Sequence, residues 1–276
     1  MHQWLLLLAC ATAVLPAQDA PAPLGTPHVY KTVDGRELKL YVHSPAGPGP
    51  FPAIVFFHGG GWRGGRPTQF NHHAEHLATR GMLSIQVEYR LLDRKGKLPP
   101  EVCVRDAKSA MRWVRAHTAQ LKIDPKRIAA GGGSAGGHLA AFTGTVKGLD
   151  DPADDRSISP VPAALALFNP VFDNGPTGYG YDLIGARYKE FSPLHNITKA
   201  TPPTIVFVGS QDKLLPVATV EQFCATARAH KVKCEFRVYE GQPHGFFNYR
   251  DKGDNRFYKE TLAETEKFFE SLGWLR

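Results

Sequence analysis

Residues Gly132-Gly133-Ser134-Ala135-Gly136 set a serine in a G-x-S-x-G pattern, between an apolar run, Arg127-Ile128-Ala129-Ala130, and a helix-like stretch, His138-Leu139-Ala140-Ala141. A chain that bends sharply from strand into helix at one serine needs small neighbours there, because the backbone must turn tightly and be approached closely. Glycines 132, 133, 136 and 137 supply that room. The same turn sets Ser134 at the N-terminal end of a helix, whose free N–H groups and dipole favour the negative charge that develops in acyl transfer. Five residues in a glycine-rich chain also fit an ordinary turn. The rest of the chain must decide between the two.

Upstream, Phe51-Pro52-Ala53-Ile54-Val55-Phe56-Phe57 reads as a buried strand and runs directly into His58-Gly59-Gly60-Gly61-Trp62. Glycines after a strand let backbone N–H groups point into the space where a tetrahedral oxyanion would form. Downstream, the strand-like run Thr204-Ile205-Val206-Phe207-Val208-Gly209 leads into Ser210-Gln211-Asp212, and Cys234-Glu235-Phe236-Arg237-Val238-Tyr239 precedes Gly241-Gln242-Pro243-His244-Gly245-Phe246. The chain order Ser134, Asp212, His244, with each residue on a loop after a strand, suits an open parallel sheet that presents its reactive groups at the carboxyl ends of its strands.

These motifs resemble those of α/β-hydrolase-fold serine carboxylesterases, near the hormone-sensitive-lipase-like and bacterial acetylesterase or feruloyl-esterase groups, over residues 29–275. The resemblance implies Ser134 as nucleophile, His244 as general base and acid, and Asp212 as the acid that orients the imidazole. It also implies an oxyanion hole from the N–H groups of Gly60, Gly61 and Ala135, without settling which two glycines contribute. One position departs from the pattern. The hormone-sensitive-lipase group usually carries Asp before the serine, and here it is Gly133.

A chain of 276 residues with 42% hydrophobic residues can bury one large core, so residues 28–276 are expected to form a single catalytic domain. Residues 1–17 form an apolar run too short to span a bilayer comfortably and ending in small residues, which reads as a secretory signal peptide. Leu7-Leu8-Ala9-Cys10 also fits a bacterial lipoprotein box. Residues 18–27, rich in Pro and Ala, are expected to be an extended lead-in. The expected location is secreted or periplasmic.

Strand and helix patterns then alternate, which implies a mostly parallel sheet covered on both faces. Residues 28–44 read as an edge hairpin turning at Asp34-Gly35. Residues 70–80, 100–121, 218–231 and 255–272 read as helices, and residues 82–90 and 161–168 as strands. Asp124-Pro125 reads as a turn into the nucleophile strand. Residues 169–200, interrupted by Pro and Gly but rich in aromatics, read as a small lid-like insertion or an ordinary surface excursion.

Several other residues have plainer readings. His72, His73 and His76 have ligand-like spacing but no carboxylate or cysteine cluster beside them, so no metal is expected. His138 reads as a packing or hydrogen-bonding residue, and His58 as a pin for its loop. Asp106 and Glu88, near Arg105 and Arg90, read as scaffold ion pairs. Cys224 on a helix and Cys234 on the next strand are spaced for a disulfide, with Cys103 left free and buried. The formal charge of +7 comes from scattered Lys and Arg without a binding motif, which argues against nucleic acid and is compatible with anionic polysaccharide or a cell surface.

The chain is therefore expected to be a secreted serine esterase of short acyl esters, acetyl above all, with acetylated plant or algal polysaccharide among its candidate substrates. No cofactor is expected. Trp62 and Phe246 are expected to wall the acyl pocket. A feruloyl esterase or a peptidase of the same fold are alternatives, as is a silent hydrolase-fold binding protein, against which the three intact residues argue.

Overall fold

Eight strands build one sheet in the computed structural model, which describes residues 25–276. They are β1 (Thr26–Val33), β2 (Arg36–His43), β3 (Phe51–Phe57), β4 (Leu83–Val87), β5 (Ile123–Gly133), β6 (Ala164–Phe168), β7 (Thr204–Gly209) and β8 (Cys234–Tyr239). Their spatial order is β1-β2-β4-β3-β5-β6-β7-β8. The first two strands pair antiparallel, as do β2 and β4, and every neighbouring pair from β4 to β8 is parallel. This is the expected α/β-hydrolase arrangement. The signal peptide expected over residues 1–17, Cys10 within it, and most of the lead-in lie outside the described residues.

The helices are α1 (Asn71–Thr79), α2 (Glu101–Ala116), α3 (Thr118–Leu121), α4 (Ala135–Thr145), α5 (Tyr181–Ile184), α6 (Val217–Ala229) and α7 (Arg256–Ser271). Side chains alternate across a strand, and β3 uses both directions. Ile54 and Phe56 join Leu77 of α1 and Leu262 and Phe269 of α7 in one core layer. Val55 and Phe57 join Val104 of α2, Leu139 of α4 and Phe223 of α6 in the other. A strand covered on both faces has to read as an unbroken apolar run, and that is why residues 51–57 do. Along α2, Val104, Ala107, Met111 and Val114 form the buried stripe expected at helical spacing.

The structure departs from the sequence reading at several boundaries. Thr26 and Pro27 are already paired with Val42 and Tyr41, so the sheet starts two residues earlier than the expected lead-in allows. A proline is tolerated there because β1 is an edge strand. Asp124-Pro125 lies inside β5, where the register with β3 jumps from Phe51↔Ile123 to Ala53↔Ile128. This bulge absorbs the residue that cannot donate to the ladder. The helix expected over 100–121 breaks at His117. Arg105 pairs with Glu101, while the fully buried Asp106 binds Lys31 and Arg90 and ties β1 to α2. Cys224 and Cys234 are joined as a disulfide from α6 to β8, and Cys103 is free and buried. Among the described residues no helix is long and apolar enough to cross a membrane.

The three histidines of α1 point three ways. His72 lies against Tyr249 and His76 meets Glu266. His73 turns inward among Phe70, Phe168 and Tyr258, with ring centroids 4.8–5.4 Å away. Both its ring nitrogens are buried without a hydrogen-bond partner. Burial, helped by the neighbouring His72 and His76, pushes its pKa down to about 3. The folded chain thus holds His73 neutral, whereas the unfolded chain takes up a proton below about 6.5. Stability from neutral His73 is fully present above that pH and is lost as pH falls towards 3, at about 1.4 kcal/mol per pKa unit. We expect the melting temperature to fall steadily below pH 6.5, and His73→Phe to flatten that acid limb. An unchanged pH slope in the variant, measured by calorimetry, would show that His73 does not control it.

Candidate active site

Ser134 sits between β5 and α4 with φ +54° and ψ −121°, a conformation that costs an L-residue energy and persists only when the surroundings impose it. The surroundings are backbone. Ser134 N–H donates to the Phe168 carbonyl at the end of β6, at 2.9 Å. A Cβ on Gly136 would lie 2.0 Å from the Phe57 carbonyl oxygen, and one on Gly132 would lie 2.5 Å from the Gly136 backbone. The elbow therefore lies directly against the end of β3, where the glycine loop begins.

Position 133 is closed for a different reason. A Cβ there would lie 2.5 Å from Phe247 Cζ. Phe247 is buried beside Phe70 and Phe168, and its ring occupies the space that the aspartate usual before this serine would need.

His244 lies on the loop after β8. Its Nδ1–H donates to Asp212 Oδ2 at 2.7 Å, and its Nε2 faces Ser134 Oγ at 3.0 Å. A carboxylate only accepts, so Asp212 fixes the proton on Nδ1 and leaves the Nε2 lone pair for the serine hydroxyl. The Asp212 side chain is fully buried. Its second oxygen, Oδ1, accepts from the N–H groups of Leu214 and Leu215 at 2.9 and 3.0 Å. Two other acids downstream of Ser134, Asp173 and Asp182, lie elsewhere. Asp173 accepts from Gly175 N–H and lies near His195, and Asp182 lies at the rim of a neighbouring cleft.

In the loop after β3, Gly60 and Gly61 have φ of +120° and +62°. Gly59 N–H is engaged by Gln69 Oε1 at 2.6 Å, which occupies that donor within the protein. Ala135 opens α4, where an N–H has no partner within the helix. His58 is a pin: Nδ1–H donates to the Gly59 carbonyl, the ring stacks on Tyr89, and burial lowers its pKa to about 4. His138 is fully buried, hydrogen-bonds the Phe191 carbonyl through Nε2, and is also pushed down to about 4 by burial.

Sequence reasoning did not find the side chains that hold these loops together. Gln69 passes from Gly59 to Asn248, whose Nδ2 donates to the Gly245 carbonyl, while Gly245 N–H donates to Asn169 Oδ1. This relay joins the glycine loop to the loop of His244. Scattered amide residues leave no periodic or spacing signal. In the structure Asn169 has φ +36°, a value that Asn tolerates better than most residues.

The two expected pocket walls behave differently. Phe246 is buried against Tyr239 and Phe257 under α7, so it does not wall the opening. Gly245, at φ +78°, turns the chain so that both phenylalanines enter the apolar layer. Trp62 is fully buried, edge-on to His138 and tilted against Tyr179. It supports the wall of a cleft of about 400 Å³ that also includes Arg63, Tyr179, Lys213 and Leu214. Residues 169–200 form short helical turns beside this cleft and leave the site open, with His244 24% exposed.

The BD-FAE family model matches residues 38–168, and the dienelactone hydrolase family model matches residues 172–273. The first match carries the glycine loop and Ser134, and the second carries Asp212 and His244. Among solved structures, the apo form of Thermogutta terrifontis esterase 2 is similar at 41% identity and TM-score 0.87, over 94% of this chain and 99% of that one. The same esterase phosphorylated by paraoxon matches at 42% identity and TM-score 0.84, over 91% and 95%. The esterase LipC of Mycobacterium tuberculosis is 26% identical over 83% of this chain and 66% of its own length. The chain spans 44–66% of the length of the curated relatives it matches first.

Two substitutions test this geometry. Asp212→Asn is expected to lower kcat by about 10⁴-fold through a mispositioned imidazole, with KM little changed, while Asp173→Asn and Asp182→Asn stay within a few-fold of the parent. A crippling effect at either of the latter would show that the wrong acid has been chosen. Gly133→Ala is expected to cost about 1–3 kcal/mol by overpacking against Phe247. Adding Phe247→Leu should recover part of that loss, and purely additive denaturation energies in the double mutant would contradict the contact.

Proposed function

Because the chain belongs to the α/β-hydrolase carboxylesterases of the hormone-sensitive-lipase-like type, we propose that it hydrolyses short-chain carboxylic esters with Ser134, His244 and Asp212. The observation that carries this reading is the placement of His244 between Ser134 Oγ and the Asp212 carboxylate, at 3.0 and 2.7 Å. Ser134 Oγ attacks the ester carbonyl as His244 Nε2 takes its proton. The tetrahedral oxygen then faces the N–H groups of Gly60, Gly61 and Ala135, and His244 returns the proton to the departing alcohol. Water activated by the same imidazole releases the acid from Ser134.

The preference for short acyl groups is supported by the small insertion and by Trp62, whose bulky ring is packed into the wall of the cleft. Structures of the similar Thermogutta esterase carry propionate and butyrate. The open site and the Arg63 and Lys213 side chains at the cleft support a bulky, water-soluble or polymer-borne alcohol such as an acetylated polysaccharide. Export is supported by the Cys224–Cys234 disulfide and by the apolar residues 1–17, and N-terminal sequencing of secreted material starting at Gln18 would test it.

Ser134→Ala is expected to lower ester turnover by at least about 10³-fold with an unchanged melting curve. A variant that keeps more than about a tenth of the parent rate would remove Ser134 as nucleophile. Across aryl esters from acetyl to decanoyl, with acetylated xylan and methyl ferulate alongside, kcat/KM is expected to peak at two to four carbons. A steady rise to octanoyl would require a long apolar trough, because each buried methylene is worth about 0.8 kcal/mol.

A further inference from the structure

Tyr179 comes from the insertion, 45 residues beyond Ser134, and none of the motifs draws attention to it. Its hydroxyl nevertheless reaches the glycine loop: a Cβ on Gly61 would lie 3.0 Å from Tyr179 Oη. Its ring tilts against Trp62 at 5.4 Å between centroids and lines the cleft beside the site.

The position is held from several sides. Tyr179 N–H donates to the Asp173 carbonyl at 3.0 Å, and the Tyr179 carbonyl accepts from Asn174 Nδ2 at 2.9 Å. Asn174 is itself fully buried, with its N–H on Ser192 Oγ, and Ser192 Oγ donates to the Phe172 carbonyl. The next residue, Gly180, has φ +81°, and a Cβ there would lie 2.8 Å from Trp62. Only glycine lets the insertion come this close to the tryptophan. The hydrogen bonds that fix Tyr179 are all made by its main chain, so the phenol group projects as a free donor on a fixed stem.

Resting on the proposed esterase reading, we propose that Tyr179 is a further catalytic residue, whose hydroxyl donates a hydrogen bond to the ester carbonyl oxygen as it becomes the tetrahedral oxyanion. On that reading the oxygen lies against the N–H groups of the glycine loop, and the phenol oxygen is beside Gly61 of that loop. A fixed donor aimed where charge develops strengthens in the transition state and costs little reorganisation. A phenol O–H can also rotate to follow the oxygen as the carbonyl becomes tetrahedral, which a backbone N–H cannot. The insertion thus supplies part of the catalytic machinery as well as bordering the cleft.

Tyr179→Phe removes the hydroxyl and keeps the ring on Trp62. With p-nitrophenyl acetate and propionate, kcat is expected to fall by about 10- to 100-fold, less than for the sole side-chain donor of an oxyanion hole because backbone donors remain. KM should change by less than about threefold, as expected for an interaction made only in the transition state. The Ki of a methyl trifluoromethyl ketone, which forms a tetrahedral adduct with the serine, should rise by the same factor as kcat/KM falls. Active-site titration with paraoxon and the melting temperature serve as checks that the sites are intact. Unchanged kcat in the variant, or a raised KM with kcat intact, would overturn the role. Failure of the esterase reading is distinguishable, because it would appear in the parent chain as turnover that survives Ser134→Ala.

Discussion

The site depends on the close approach of three backbones: the end of β3, the Ser134 turn and the end of β6. Phe57 ends β3 against Gly136 in the first turn of α4, at a separation that excludes any side chain on Gly136. The Phe168 carbonyl at the end of β6 takes the Ser134 N–H. Those contacts hold the serine at φ +54°, a region that residues other than glycine rarely occupy. The energy stored there is offset by the surrounding sheet, which is covered on both faces and cannot adjust locally without disturbing two core layers.

Around that fixed point the remaining groups are tied to one another by side chains. Gln69 and Asn248 connect the glycine loop to the His244 loop, and Asn169 closes the connection at β6. Each link is a neutral hydrogen bond of modest net worth. Together they set the His244 loop relative to the glycine loop after β3. Gln69 also occupies the Gly59 N–H, so the same link that orients the loop takes up one of its three glycine donors.

The mostly parallel sheet and the triad candidates were legible because they depend on local signals: apolar runs bounded by turns, glycines at sharp bends, and reactive residues directly after strands. Residues 51–57 and 204–209 announce buried strands by composition alone. What was not legible arises from contacts between distant segments. Phe246 looked like a pocket wall because it lies two residues from His244, but the turn at Gly245 sends it under α7. Pro125 looked like a turn, yet a bulge accommodates it within β5. Tyr179 and Asn248 belong to segments with no periodicity, and their roles follow only from what lies opposite them.

Gly133 and Phe247 show how a departure from a family pattern can be read as packing. An aspartate before the serine would bring a charge to a position now covered by an aromatic ring, with Phe70, Phe168 and the unpartnered His73 behind it. A carboxylate there would be desolvated among apolar side chains, at a cost the glycine avoids. The glycine and the phenylalanine are therefore one choice made at two positions, 114 residues apart in the chain. That choice seals the underside of the nucleophile turn with apolar surface. The polar groups gather instead on the open side, where the partly exposed His244 faces Ser134.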